Sequence, residues 1–315
     1  MSDEVSGGIL LGIDLGGTQI KAARFSPDGE LESESQTSSY GHENPEDIFE
    51  ALISASSGLI GDDRLAGVGV GVAGVFDPQS GRIVNSPNIP ILNGFDLRKR
   101  VQSAFGEIPV HLTNDANAAA LGEFYAGAGA GSGSMFLLTL GTGIGGGFVV
   151  GGEIWEGVAS VAGEVGHMCI QADGPLCNCG AKGCLEAFVS SWALIRDANA
   201  IAKEKPDSAI SHLPSLTPLD LADLANQGDE DAKALWEKAG KMLGTGIANL
   251  MNLLNPECIV LAGGLAKAGD LLLGPARKTW ESQAFDRAHE TTSVRMGTLG
   301  EWAGVRGAIQ PLMKS

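Results

Sequence analysis

The chain has 315 residues, of which 43% are hydrophobic, so it is long enough for two domains of ordinary size and is not a disordered chain. Its 38 acidic and 21 basic residues give a net charge of −17, which excludes the basic surface of a typical nucleic-acid-binding protein. The N-terminus is acidic and the apolar run at 9–13 is too short for a secretory signal or a membrane span, so we expect a cytoplasmic protein without membrane partners.

The first predicted elements form an antiparallel hairpin closed by glycines. Two short apolar runs at 9–14 and 20–25 lie on either side of Gly16-Gly17, and a strong turn signal follows at 26–29. We therefore expect two strands that begin an antiparallel meander. The elements that follow alternate in type, and they are predicted as a helix over 44–59, a strand over 67–75, a helix over 96–103, a strand over 110–112 and an alanine-rich helix over 115–125.

A weak internal repeat marks the second half of the chain. Residues 135–140, a glycine-rich turn at 141–147 and residues 148–150 repeat the strand–turn–strand plan of residues 9–25. The repeat predicts two related lobes, each with a hairpin that faces a phosphate group.

A connector of small residues at 126–133 predicts the domain boundary. We expect an N-terminal lobe over 1–125, completed by a closing helix at about 301–315, and a C-terminal lobe over 126–300. The remaining elements of the C-terminal lobe are predicted as helices over 186–204, 218–226 and 229–254 and a buried strand over 258–262.

Four residues of the predicted C-terminal lobe are spaced as metal ligands and are called the Cys₃His cluster here: His167, Cys177, Cys179 and Cys184. Three thiolates and one imidazole suit a closed, tetrahedral, structural Zn²⁺ site, and Gly180 and Gly183 let the backbone fold tightly around one ion. The alternative is a set of buried free thiols. The odd total of five cysteines argues against a disulfide framework and favours a metal in a reducing cytoplasm, and Cys169 and Cys258 are expected in the core.

Two glycine-rich turns are candidates for binding phosphate groups. Residues 14–18 read Asp-Leu-Gly-Gly-Thr, and residues 141–147 read Gly-Thr-Gly-Ile-Gly-Gly-Gly. Glycines let backbone N–H groups approach phosphate oxygens, and the hydroxyls of Thr18 and Thr142 add donors. Neither turn matches the Walker A or dinucleotide pattern, so each by itself is better explained as an ordinary hairpin turn. Asp14 ends a buried strand beside such a turn, which suits it to hold Mg²⁺ through water.

A second acidic position, Asp115, follows the predicted strand at 110–112 and begins a helix. A carboxylate there can accept the proton of an alcohol that attacks a γ-phosphoryl group. It can equally be a helix N-cap together with Asn114, and the residues leave the two roles open. Glu164 and Glu186 flank the Cys₃His cluster, where they could accept hydrogen bonds from vicinal hydroxyls or remain solvated carboxylates.

Five motifs occur in one order along the chain: 14–18 (Asp-Leu-Gly-Gly-Thr), 113–118 (Thr-Asn-Asp-Ala-Asn-Ala), 163–167 (Gly-Glu-Val-Gly-His), 177–186 with its three cysteines and Glu186, and 261–264 (Leu-Ala-Gly-Gly). Together they resemble the repressor/ORF/kinase (ROK) family of bacterial-type sugar kinases and regulators. The resemblance covers the chain from about Ile9 onward, and its histidine–cysteine–glutamate string is the most specific part.

The resemblance implies an α/β, actin-like, two-lobed fold with the active site in the cleft between the lobes, and Asp115 as the general base. The sugar would be bound by Gly74, Asn88, Asn114, Asp115, Glu164, His167 and Glu186. ATP and its Mg²⁺ would be surrounded by Asp14, Gly16, Gly17, Thr18, Thr142, Gly143 and Gly264. His167 would then serve twice, with one ring nitrogen on structural Zn²⁺ and the other on a sugar hydroxyl, because the metal fixes the orientation of the imidazole. A homodimer or homotetramer is implied as well.

The chain departs from the family pattern at several positions. Gln19 stands where many members have Lys, Phe95 where glucose-phosphorylating members often have Trp, and Leu185 and Ala187 flank the last glutamate in place of Trp and Gln. Kinases for N-acetylmannosamine carry Arg where this chain has Val75, which favours an unacetylated hexose.

The leading interpretation is an ATP-dependent hexose kinase of glucokinase type, which forms glucose 6-phosphate for glycolysis. The alternative within this class is a kinase for N-acetylmannosamine, N-acetylglucosamine or fructose. Two alternatives belong to other classes: a sugar-sensing transcriptional repressor and a catalytically inactive sugar-binding module. The repressor is disfavoured because about a dozen residues precede Asp14 and cannot contain a helix-turn-helix.

Overall fold

The structure is a computed structural model that describes residues 7–77, 79–213 and 215–313. The predictions that concern the acidic N-terminus and the end of the closing helix at 314–315 lie outside these residues. Up to residue 126 the elements are β1 (Ile9–Leu15), β2 (Gln19–Phe25), β3 (Leu31–Ser38), α1 (Pro45–Ile60), β4 (Leu65–Val72), β5 (Val75–Phe76), β6 (Ile83–Asn85), α2 (Leu97–Phe105), β7 (Val110–Asn114) and α3 (Asp115–Ala126). The later elements are β8 (Ser134–Leu140), β9 (Ile144–Val150), β10 (Glu153–Ile154), α4 (Glu186–Val189), α5 (Ser191–Glu204), α6 (Pro218–Asn226), α7 (Glu230–Leu254), β11 (Cys258–Ala262), α8 (Asp270–Gln283), α9 (Asp286–Thr291), β12 (Ser293–Met296), α10 (Ala303–Ala308) and α11 (Gln310–Met313).

The chain divides into two compact units, each made of more than one segment. The first unit contains the chain as far as Gly131, Gly147–Ala162, and the chain from Leu299 onward. The second unit contains Ser132–Gly146 and Gly163–Thr298. The division falls within β9, so the hairpin partner of β8 contributes residues to both units.

The first unit is built on a five-stranded mixed sheet in the order β3-β2-β1-β4-β7. Strands β1 and β2 pair antiparallel, with Asp14 opposite Lys21, whereas β4 is parallel to both β1 and β7. The apolar residues of β1 and β4 are buried along nearly their whole length, as expected for central strands covered on both faces. The carboxyl ends of β1, β4 and β7 therefore lie at one edge of this sheet.

The second sheet repeats this plan in the order β10-β9-β8-β11-β12. In each sheet the first three strands in chain order form a meander, and the fourth and fifth add in parallel beside the first. The shared strand order confirms the internal repeat that the two glycine-turn hairpins predicted.

Helices α3 and α10 of the first unit pack backbone against backbone. A Cβ atom at Gly307 would overlap the carbonyl oxygen of Ala118, and one at Gly122 would overlap that of Ala303. Glycine is required at both positions because no side chain fits between the two backbones. This close contact holds α3, which begins at Asp115, against the C-terminal helix.

Most predicted elements are present, and the differences have physical causes. The turn predicted at 141–147 is shorter, because Ile144 already begins β9. The helix predicted over 186–204 is interrupted at Ser190, whose side chain accepts a hydrogen bond from the backbone N–H of Ala193 and caps α5. The closing helix is broken into α10 and α11.

Strand β3 was not predicted, because its sequence is almost wholly polar; it lies at an edge of its sheet, where both faces can be exposed.

Within the described ranges, every helix is too short or too polar to cross a lipid bilayer.

Candidate active site

Asp14 lies at the carboxyl end of β1, close to a second carboxylate. Burial, and to a lesser extent the negative charge of Asp115, raise the pKa of Asp14 to about 7, although the positive charge of Lys21 opposes both effects. The Lys21 Nζ atom lies 2.9 Å from the Glu301 Oε2 atom, so part of its charge is already balanced. On the other side of Asp14, a Cβ atom at Gly304 would lie 3.1 Å from the Asp14 carboxylate. These contacts leave Asp14 a crowded carboxylate that a cation would stabilise.

The helix cap beside Asp14 is formed by Asn114 and not by Asp115. The Asn114 side-chain oxygen accepts hydrogen bonds from the backbone N–H groups of Ala116 at 2.9 Å and Asn117 at 3.3 Å. Asp115 is the first residue of α3, and its carboxylate accepts a hydrogen bond from the backbone N–H of Ala116 at 2.9 Å. The sequence left open whether Asp115 acts as a general base or as a helix cap. In the structure Asn114 supplies the cap.

The Asn114 amide also fixes the neighbouring loop, since its Nδ2 atom donates to the Gly74 carbonyl oxygen at 3.2 Å. Gly74 has φ +143°, and a Cβ atom there would overlap the carbonyl oxygen of Asn85. Asn114 and Gly74, two of the predicted sugar-binding residues, thus lie together. Asn88 is exposed, and its Cβ atom lies against Gly17, where a Cβ would approach to 3.0 Å.

The first glycine turn is a tight hairpin turn. The Gly16 N–H donates to the Gln19 carbonyl oxygen at 3.0 Å, which closes the turn. Ser39 ties it to the next strand, because its hydroxyl donates to the Gly16 carbonyl at 2.6 Å and its N–H donates to the Thr18 carbonyl at 3.1 Å. The Thr18 side chain is exposed beyond this framework.

The second unit brings the four residues of the Cys₃His cluster together, with their ligand atoms all within 4.8 Å of one another. The Sγ atoms of Cys179 and Cys184 are 3.7 Å apart, and the Nδ1 atom of His167 is 3.8 Å from the Cys177 Sγ atom. In a tetrahedral site with Zn–S bonds of about 2.3 Å, neighbouring ligand atoms lie about 3.8 Å apart. The donor set and its spacing therefore fit a tetrahedral metal ion.

The backbone around the cluster is a tight knuckle that depends on two glycines. Gly180 and Gly183 have φ +91° and +73°, and a Cβ at Gly183 would overlap the carbonyl oxygen of Gln171. Burial raises the pKa of Cys184 to about 12, whereas the backbone N–H of Ala181 lowers the pKa of the exposed Cys179.

The other two cysteines differ from each other. Cys258 is buried as expected, but Cys169 is exposed, so its prediction as a core residue is wrong. Cys169 pairs with the buried Cys184 through an isolated backbone bridge, but its own side chain is exposed.

Glu186 links the cluster to the second glycine turn. Its Oε2 atom accepts a hydrogen bond from the Ile144 N–H at 2.8 Å, and its Oε1 atom lies 3.9 Å from the Cys177 Sγ atom. A Cβ at Gly143 would lie 2.5 Å from the same carboxylate, so a side chain there would displace the Glu186 carboxylate. Glu164 lies on the other side of the cluster, with its Oε2 atom 4.0 Å from the His167 Nε2 atom.

The second glycine turn uses several of its backbone donors internally. The N–H of Gly141 donates to Gly143, that of Ile144 to Glu186, and that of Gly145 to the Thr139 hydroxyl. These three N–H groups are therefore engaged within the second unit and are not available to a phosphate. Thr142 and Gly264, the other predicted nucleotide residues of this unit, are exposed.

Sequence reasoning missed several residues around these sites. Lys21 and Gly304 contact or face Asp14, and Asn117 and Glu156 line a small cavity with Gly74 and Asn114. Only Asn117 had a signal in the sequence, since it lies three residues after Asn114 and residues at that spacing share one face of a helix.

Known proteins are similar to this chain over nearly its whole length. A model of the ROK family matches residues 10–314. The chain is 38% identical over 307 residues to a glucokinase of Halalkalibacterium halodurans, which covers 94% of this chain and 92% of that protein. It is also 31% identical over 311 residues to a xylose repressor of Caldicellulosiruptor bescii, which covers 96% of this chain and 77% of that protein.

Two solved structures are similar as well. A ROK hexokinase from Thermus thermophilus superposes with a TM-score of 0.82 at 35% identity, over 95% of this chain and 96% of that one. A ROK family glucokinase from Streptomyces griseus in complex with glucose and AMPPNP gives a TM-score of 0.77 at 32% identity, over 96% and 98% of the two chains. The predicted fold class, α/β with the actin-like plan of these sugar kinases, is confirmed, and a match of this extent in sequence and structure makes the chain a member of the ROK family.

Proposed function

We propose that the protein transfers the γ-phosphoryl group of ATP to a hydroxyl of a hexose, with glucose as the preferred sugar and glucose 6-phosphate as the product. The observation that carries this proposal is the pair of carboxylates Asp14 and Asp115 at strand ends of one sheet, with the helix cap supplied by Asn114. The similarity to glucokinases, one of them bound to glucose and AMPPNP, supports the substrates.

Asp115 is the proposed general base. Its carboxylate accepts the proton of the sugar hydroxyl while that oxygen forms a bond to the γ-phosphorus, and the bond to the β-phosphate oxygen breaks to release ADP. Asn114 orients this end of α3, because its amide holds both the first turn of the helix and the Gly74 carbonyl. Removal of the Asp115 carboxylate therefore leaves the cap intact.

Asp14 is the proposed partner of Mg²⁺. Burial and the charge of Asp115 raise the pKa of Asp14 and so disfavour its ionised form, which a divalent cation would favour. Such an ion neutralises the phosphate charge that develops during transfer. We further propose that Gly16, Gly17, Thr18, Thr142, Gly143 and Gly264 surround the nucleotide.

The Cys₃His cluster is the proposed structural zinc site. Zinc would fix His167 through its Nδ1 atom, which faces the sulfur atoms, and leave the Nε2 atom on the side of Glu164. This arrangement suits the proposed binding of sugar hydroxyls by Glu164, His167 and Glu186. Gly74 and Asn88 complete the proposed sugar site.

A sugar panel tests the proposed substrate. ADP release is measured with ATP and glucose, fructose, mannose, N-acetylglucosamine or N-acetylmannosamine at one ATP concentration. We expect the highest kcat/KM for glucose, because Val75 supplies no cation for an acetyl carbonyl. A tenfold preference for either acetylated sugar would refute the glucokinase assignment but not the kinase assignment.

A sugar-responsive repressor is the second candidate, favoured by the similarity to a xylose repressor. The net charge of −17 disfavours binding to DNA. Turnover separates the candidates, since a repressor or an inactive sugar-binding module would release no ADP. The odd number of five cysteines fits the proposed cytoplasmic location. We propose a homodimer or homotetramer by analogy with the family.

A further inference from the structure

The first unit contains a small cavity beside two of the proposed sugar-binding residues. Its lining includes Gly74 and Asn114, together with Asn117, Glu156 and Ser160, for which the sequence had suggested no role. Its free space is about that of one water-sized group, which matches a single hydroxyl and not a whole sugar. A cavity of this size, lined by Val75 and Phe76 as well as by these polar residues, suits one substituent of a larger ligand.

Asn117 supplies an unpaired buried polar group at this cavity. Its side chain is only 5% exposed, and its Oδ1 atom makes no hydrogen bond to any described residue. A buried amide oxygen without a partner costs about 1–3 kcal/mol, so such groups are rare in folded proteins. The amide lies over Gly147, where a Cβ would approach its oxygen to 3.1 Å. A half-turn of the amide exchanges its donor and acceptor, so it can bind a hydroxyl in either sense.

The opposite side of the cavity is a short loop with an unusual backbone. The Ala162 N–H donates to the Glu156 carbonyl oxygen at 2.9 Å, which closes the loop. Within it, Gly157 has φ +70° and Ser160 has φ +54°, and a non-glycine residue in this region is strained. Glu156 and Ser160 of this loop both line the cavity.

We infer that Asn117 and Glu156 form a subsite for one further hydroxyl of the hexose, beyond the residues assigned to the sugar above. The inference rests on the proposed sugar phosphorylation. Asn117 lies one helical turn after Asn114, so a sugar held at Asn114 has its next hydroxyl within reach of the Asn117 amide. Glu156 accepts the hydrogen bond that this hydroxyl donates, and the hydroxyl oxygen accepts a hydrogen bond from the Asn117 amide, turned so that its NH₂ group faces the hydroxyl. The amide atom that lacks a partner in the ligand-free protein thereby gains one.

The test uses Asn117→Ala and Glu156→Gln, with Glu153→Gln as the matched control because Glu153 is an exposed glutamate of the same segment. Each protein is assayed for the KM of glucose and of ATP, for kcat, and for thermal unfolding without ligands. We expect the KM of glucose to rise about 3–10-fold for each variant, as for the loss of one hydrogen bond, with the KM of ATP unchanged. Asn117→Ala should unfold at the same temperature as the wild type or higher, because it removes an unpaired buried group.

Monodeoxy analogues of glucose give the sharper result. For one analogue, wild type and Asn117→Ala should have the same KM, because the hydroxyl that Asn117 binds is missing from that sugar. An unchanged KM of glucose in both variants, or an equal loss for every analogue, would overturn the subsite while leaving the kinase assignment intact. A wild-type protein that neither phosphorylates nor binds any sugar in calorimetry would overturn both.

Discussion

Replacing Asp14 by asparagine should stabilise the ligand-free protein at neutral pH while it removes the activity. Burial and the charge of Asp115 raise the folded-state pKa of Asp14 from 3.8 to about 7. A group whose pKa is raised on folding contributes stability below its unfolded-state pKa, and this contribution is lost as the pH rises through the folded-state pKa. Ionised Asp14 therefore destabilises the folded protein above pH 7.

The magnitude follows from the size of the shift. One pKa unit corresponds to about 1.4 kcal/mol, so a shift from 3.8 to about 7 corresponds to about 4 kcal/mol at pH 8 and about 2 kcal/mol at pH 5. The side chain of Asp14 is only half-buried, so water screens part of the free-energy cost of its ionisation. We expect Asp14→Asn to gain about 1–3 kcal/mol at pH 8 and clearly less at pH 5.

The assay is thermal or urea unfolding of both proteins at pH 5 and pH 8, without nucleotide or Mg²⁺. Asp28→Asn is the control, because Asp28 is an exposed carboxylate in the turn that follows the same hairpin. A gain in Tm of several degrees at pH 8 supports the reasoning. A variant that is less stable than the wild type at pH 8, or a gain that is equal at both pH values, would refute it.

Three further predictions follow from the site and the fold. Asp115→Asn should lower kcat by roughly 10²–10⁴. It should change the stability little, because Asn114 caps the helix. Retention of activity within a few-fold would end the assignment of Asp115 as the base. Purified protein should contain about one zinc ion per chain, and Cys179→Ser should lower both metal content and glucose affinity; a metal-free, fully active protein would contradict the zinc site. Gly307→Ala should destabilise the protein by about 2–3 kcal/mol or more in urea unfolding, because its Cβ would overlap the Ala118 carbonyl, whereas Gly58→Ala in open space on α1 should be neutral or stabilising.

Local patterns predicted the elements that carry the chemistry. The apolar strand β1 with its glycine turn, the alanine-rich helix α3 and the cysteine spacing all depend on short stretches of sequence, and each was found where it was expected. The polar edge strand β3 and the break at Ser190 were missed, because edge pairing and capping depend on neighbours that periodicity does not reveal. The lobe boundary at residue 125 stays a prediction.

The contacts among the site residues were also not predictable from sequence patterns. Spacing alone identified the Cys₃His cluster, but it could not show that Asn114 caps α3, that Glu186 binds the Ile144 N–H, or that Glu156 shares a cavity with Asn117. The residues in each of these contacts are brought together by the fold, so their spacing in the sequence does not reveal the contact. Which residue caps α3 depends on the direction of the side chains at the start of that helix.

The most direct test of the central claim is the stoichiometry of the reaction. Purified protein is incubated with Mg²⁺, ATP and glucose, and ADP and glucose 6-phosphate are measured in the same samples over time, for the wild type and for Asp115→Asn. We expect the two products to form in equal amounts in the wild type, with formation of both nearly abolished in the variant. ADP released without a phosphorylated sugar, or a variant as fast as the wild type, would contradict the account.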